Sequence, residues 1–188
     1  MENRAFIIEE CLSETVLRNI QSVTKELRNN PSVLRDQEMF FRHFIHNPPL
    51  LSQIHLVLTK KAREIFNEDL KPSFSFISLY GSEGKCPLHT DRPQCYRTID
   101  VCINQGEIWP IYVNVKPEFQ NLSTEALAEP KLATKVKETS ERFDLIPGQA
   151  LCYAGHSSPH WRNNITPGNF CDLVFFHFVR SDFDGPLY

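Results

Sequence analysis

The sequence predicts an α+β protein in which short antiparallel strands close into a sandwich or jelly roll. Apolar residues at helical spacing are confined to positions 1–70, whereas from Phe74 onward the apolar period drops to two. Strand-like stretches then recur, each bounded by turn-forming residues. Helices first and many strands afterwards, without regular alternation, separate this pattern from the parallel α/β folds. A chain of 188 residues is expected to form a single domain over 1–188, long enough to bury roughly 70% of its unfolded surface.

Taken in order, Ala5-Phe6-Ile7-Ile8 reads as a short strand. Ser13 is placed as an N-cap, followed by Val16, Leu17, Ile20, Val23 and Leu27 on one helical face, and Asn29-Asn30-Pro31 stops that helix. A second helix is expected from Leu51 to Phe66, its stripe of Leu51, Ile54, Leu58, Ile65 and Phe66 packing on the outside of a sheet. Region 1–70 is thus read as mainly helical support for a β core over 73–180. The core opens with Phe74–Tyr80, and Gly81-Ser82-Glu83-Gly84 breaks the strand. Further strands are expected over Arg97–Ile103, Trp109–Val115, Arg142–Ile146, Ala150–Ala154 and Phe170–Arg180, with a turn at Pro147-Gly148. Segment 116–141 is rich in Lys and Glu and lacks alternation, so it is read as an insertion or lid with a helical turn near Thr124–Leu127.

Composition narrows the function. Hydrophobic residues at 41% and charged residues at 23% belong to a folded globular chain, and a formal net charge of −3 gives no footprint for nucleic acid. The six cysteines show no CxxC pair and no disulfide-framework spacing. The first ten residues do not resemble a signal peptide, and no apolar run approaches the length of about 18 needed to span a bilayer. A cytoplasmic protein with reduced thiols and no membrane partner is the expectation.

Chemistry is concentrated at Leu88-His89-Thr90-Asp91 and, far downstream, Pro159-His160-Trp161-Arg162. His-x-Asp on an extended strand aims an imidazole and a carboxylate to the same side. A third imidazole from a distant strand would complete two histidines and one carboxylate on one face of an octahedron. That set leaves coordination positions open and suits non-haem Fe(II). His156 and His160 are both placed to supply it. His43, His46, His55 and His177 read as surface or satisfied core residues.

Residues 74–179 resemble the catalytic core of the Fe(II)/2-oxoglutarate-dependent oxygenases. The resemblance rests on a strand ending in Tyr80, the glycine loop, His89-x-Asp91, Pro147-Gly148-x-Ala150-Leu151-x-Tyr153 and then His160. The spacing is similar to the prolyl-hydroxylase-like branch, and closer still to small microbial members carrying His-Trp-Arg. The resemblance implies a double-stranded β-helix with N-terminal supporting helices. It implies that His89, Asp91 and His160 hold Fe(II), and that 2-oxoglutarate and O2 are consumed to hydroxylate a small molecule or peptide side chain, releasing succinate and CO2. The far carboxylate of 2-oxoglutarate needs a cation. Arg162 is the first candidate, since an extended chain points it the same way as His160, and Arg97 is the second. Tyr80 would donate its hydroxyl to the same carboxylate, while Arg92 and His156 are assigned to the substrate. The alternatives are a cupin-like metal enzyme that does not use 2-oxoglutarate, or a non-catalytic binding module on the same scaffold.

Overall fold

A computed structural model describes residues 4–188. In chain order the elements are β1 (Phe6–Ile8), α1 (Glu14–Asn29), β2 (Arg35–Gln37), β3 (Arg42–His46), α2 (Pro49–Phe66), β4 (Leu70–Tyr80), β5 (Cys86–His89), β6 (Arg97–Gln105), β7 (Ile111–Val113), α3 (Pro130–Glu138), β8 (Glu141–Phe143), β9 (Ala150–Tyr153), β10 (His160–Arg162) and β11 (Cys171–Arg180). The Ser13 hydroxyl accepts from the Val16 amide at the start of α1, as its position in the sequence demands. Pro49 opens α2, where its missing N–H costs nothing, and Asn67 ends it with a left-handed φ of 51°.

The strands form a seven-stranded antiparallel sheet, ordered β1-β9-β6-β11-β4-β3-β2, and a four-stranded sheet, ordered β5-β10-β7-β8. From β4 to β11 the chain passes back and forth between the two sheets, so those eight strands coil as a double-stranded β-helix. The period of two along β4 explains its double burial. Phe74, Phe76 and Tyr80 point between the sheets, while Ile77 and Leu79 point outward under the helices. The outer cluster joins Leu51 and Leu58 of α2 and Ile20 of α1 to Ile99, Val101, Phe176 and Phe178. The sheet is therefore covered on both faces.

Some expectations need correction. Region 1–70 holds the expected strand β1 and, beyond the expectation, the β2–β3 hairpin, and these widen the large sheet at its two edges. The hairpin turns through Phe41, a non-glycine residue with φ 48°, so it carries no Asn-Gly or Asp-Gly signature. Segment 116–141 holds the nine-residue helix α3 and a 3-10 turn at Ala126–Ala128, close to the helical turn expected at Thr124–Leu127.

Candidate metal centre

β5 and β10 are neighbours in the small sheet, and their register places His160 directly opposite His89. Asp91 lies just beyond the end of β5, where its amide donates to the Gly155 carbonyl at 3.0 Å. His89 Nε2 is 3.4 Å from Asp91 Oδ1, and His160 Nε2 is 3.7 Å from Asp91 Oδ2. One donor atom from each residue lies within 4.8 Å of the others. An octahedral ion with bonds of roughly 2.1 Å sets adjacent donors about 3 Å apart, so the two histidine–carboxylate separations must close by about 0.4 and 0.7 Å around an ion.

The tautomers are set from behind. His89 Nδ1 donates to the Pro87 carbonyl at 2.7 Å and His160 Nδ1 to the Ser158 carbonyl at 2.9 Å. Both Nε2 lone pairs therefore face a carboxylate, an arrangement that calls for a cation between them. Burial, then the neighbouring His89, lowers His160 to about 4 and keeps it in the neutral form a metal needs. Burial pushes the Asp91 carboxyl up, but His160 and His89 outweigh it and hold its pKa well below the usual range. For His89, burial opposes protonation while Cys86 and Asp91 favour it and prevail, so proton and metal compete for one lone pair. Behind the triad, a Cβ on Gly155 would lie 2.5 Å from Asp91 Oδ2, and the glycine is what lets the carboxylate sit there. The residues present fit a divalent ion with two imidazoles and one carboxylate.

The triad opens into a cavity of about 340 Å³ between the sheets. Arg162 lines it, on the same side of β10 as His160, together with Tyr80 and Arg92. Arg162 is paired with the buried Asp100 carboxylate at 2.9 Å. Burial raises Asp100 to about 6 against the pull of that guanidinium. Asp100 Oδ1 is also buried and has no hydrogen-bond partner among the described residues. Arg97 and His156 do not line the cavity. Arg97 turns to the other face of the large sheet from its neighbour Thr98 and pairs with Glu68, its Nε 3.2 Å from Oε1, because successive side chains along β6 alternate. His156 shares that outer hollow and donates Nδ1–H to the Asp91 carbonyl at 3.0 Å, which braces the ligand loop from outside.

Other lining residues carry no clear sequence signal. His177 is buried on the inner side of β11 with its Nδ1 3.0 Å from Thr98 Oγ1, and His46 of β3 lies at the cavity mouth. Both were assigned to surface or core; the long-range pairing of β3 and β11 with β4 brings them to the site. Arg42, beside His46, donates to Tyr80 Oη at 3.0 Å. His55 and His43 keep their assigned places, His55 satisfied in the core by the His177 carbonyl and His43 beside Asp36 on the surface.

No residue of segment 116–141 lines the cavity. The segment instead ties the two ligand-bearing loops together. Thr90 Oγ1 donates to the Leu122 carbonyl at 2.9 Å, the Asn121 amide to the Ser157 carbonyl at 2.8 Å and Ser158 Oγ to Gln120 Oε1 at 3.0 Å.

No protein-family model matches the sequence, and no curated protein does. Solved structures match closely in shape. HygX from Streptomyces hygroscopicus, with nickel, 2-oxoglutarate and hygromycin B bound, is 13% identical with a TM-score of 0.70, covering 97% of this chain and 85% of that one. EctD from S. alaskensis with bound Fe is 15% identical at a TM-score of 0.68, covering 99% of this chain and 76% of that one. A prolyl-4-hydroxylase from Pseudomonas putida is 13% identical at 0.65, covering 95% and 93% respectively. At such identities the likeness is one of architecture: this chain has the double-stranded β-helix fold of the Fe(II)/2-oxoglutarate-dependent oxygenases.

Proposed function

We propose that this protein is an Fe(II)- and 2-oxoglutarate-dependent dioxygenase that hydroxylates an unactivated C–H bond of a small molecule or peptide side chain, with succinate and CO2 as co-products. One observation carries the reading: two Nε2 lone pairs, each with its Nδ1 proton tied to a carbonyl, aim at one carboxylate inside a β-helix. His89, Asp91 and His160 would hold the ion on one face, leaving the cavity side to the keto acid, O2 and substrate. When bound, the ion and keto acid supply the oxidising chemistry. The chain's own part is to fix the ligand geometry, exclude water through the aromatic lining and anchor a carboxylate. Arg162 and Tyr80 are the assigned anchors, both facing the cavity.

The Asp100–Arg162 pair favours a second reading, a cupin-like metal enzyme without 2-oxoglutarate, because Arg162 already has a carboxylate. Substrate-uncoupled conversion of 2-oxoglutarate to succinate, with Fe(II) supplied to the purified protein, separates the two. Turnover is expected in the wild type, abolished in Asp91→Ala, with a greatly raised KM for 2-oxoglutarate in Arg162→Ala. Full turnover in Asp91→Ala removes the triad from the mechanism, and an unchanged KM in Arg162→Ala removes that anchor.

The described residues include no helix long and apolar enough to cross a membrane.

A further inference from the structure

Charge does not balance across the cavity. Its charged lining consists of Asp91, Asp100, Arg42, Arg92 and Arg162, together with the two triad histidines and the neutral-leaning His46 and His177. Asp91 belongs to the triad and Asp100 is committed to Arg162. Arg42 and Arg92 have no carboxylate within ion-pair distance among the described residues. Arg42 is held by Gln37, Ser78 and Tyr80, all of them neutral contacts, while the Arg92 guanidinium lies over the Phe74 ring, 4.2 Å from its centroid. A divalent ion beside Asp91 adds a further positive charge, and a dianionic keto acid removes two. With Asp100 ionised, the loaded site is left with one cation in excess. Whichever of Arg162 or Arg42 takes the co-substrate's far carboxylate, Arg92 remains over.

The surroundings of Arg92 describe what it meets. His46 shares the Phe74 ring with Arg92 and makes edge contacts to Phe44, Phe74 and Phe76 at centroid distances of 4.9, 5.7 and 5.3 Å. Its Nδ1 lies 2.9 Å from the Tyr188 hydroxyl; with Tyr188 donating, the ring keeps Nε2–H as a donor. Phe76 stacks on Phe175 at 4.5 Å, continuing the ring wall inward toward the triad. A guanidinium beside an imidazole grips a planar anion, and the phenylalanine rings that line the cavity offer an apolar wall to the rest of such a ligand.

We propose that the mouth of this cavity binds an organic carboxylate with a flat, apolar body, the carboxylate on Arg92 and His46 and the body along Phe44, Phe74 and Phe76. This rests on the oxygenase reading and deepens it by naming the class of its substrate. Arg92 is exposed at this rim, so a neutral sugar or a cationic amine would gain no charge-assisted contact there, whereas a carboxylate would.

The test uses two probes of one shape, 4-fluorophenylacetate and 4-fluorophenylacetamide, followed by 19F NMR on the Co(II)-loaded protein with saturating 2-oxoglutarate. Cobalt binding is read separately from its visible absorption, so failure to bind metal counts against the oxygenase reading alone. The acid is expected to bind roughly ten- to hundredfold more tightly than the amide, the range for a charge-assisted contact. That preference should vanish in Arg92→Gln and return in part in Arg92→Lys, with the cobalt spectrum unchanged in both. Equal binding of acid and amide, binding of neither, a preference surviving in Arg92→Gln, or displacement of the acid by 2-oxoglutarate each overturns the proposal. The last outcome would assign Arg92 to the co-substrate.

Discussion

Gly155→Ala adds a single methyl group behind the triad, and the structure says what that methyl meets. The new Cβ would lie 2.5 Å from Asp91 Oδ2, 2.7 Å from Thr98 Oγ1 and 3.2 Å from the Cys95 carbonyl. Ordinary contact begins near 3.4 Å, so the carboxylate oxygen must retreat by about 0.9 Å, or the Gly155 backbone that receives the Asp91 amide must move instead. Metal–ligand distances tolerate about 0.2 Å. The displacement exceeds that several times over, and a loss of about ten- to hundredfold in metal affinity is expected. Gly155 does not have a left-handed φ, so backbone strain does not contribute. Calorimetric titration of the metal-free variant with Co(II), beside a thermal melt, isolates the effect. An unchanged dissociation constant in a folded Gly155→Ala protein would refute the close-contact argument.

Removing Asp100 should act on stability before catalysis. Asp100→Ala strands the Arg162 guanidinium in the interior, at an expected cost of about 3–5 kcal/mol, whereas Asp100→Asn keeps one acceptor and costs less; urea unfolding of the two variants gives the comparison. His55 sets part of the acid limit. Burial lowers its pKa from 6.5 to about 4 despite the bond to the His177 carbonyl. The unfolded chain therefore takes up the proton first, and stability present above pH 6.5 is lost as the pH falls toward 4, by up to about 3 kcal/mol. His55→Leu should flatten that limb of the stability–pH curve, and an identical slope in the variant would rule out His55 as its source.

Periodicity and caps made the scaffold legible. The helical stripe from Val16 to Leu27, the cap at Ser13, and the switch to a period of two at Phe74 are local signals, and the helices and long strands formed where those signals lay. His-x-Asp was likewise legible, because two ligands sit within one short segment. The three-residue strand β10 was not, since its pairing with β5 and β7 comes from distant segments. Arg42, His46 and His177 share that limitation: nothing nearby in the sequence marks them, and only the register of β3 and β11 against β4 turns them toward the cavity. Arg97 failed as an anchor for the complementary reason. Its strand was read correctly, but proximity to His-x-Asp along the chain does not decide which face a side chain takes, and Glu68 draws it outward.

The bracing of both ligand loops by segment 116–141 divides labour in a way that matters for redesign. Shortening that stretch to widen access would not enlarge the entrance, since it contributes nothing there; it would loosen the segments that carry His89, Asp91 and His160. The entrance is built instead by the β2–β3 hairpin, through Gln37, Phe40, Arg42 and Phe44, at the far edge of the large sheet. Selectivity can therefore drift at one rim of the molecule while the His89–Asp91–His160 cluster is preserved by another.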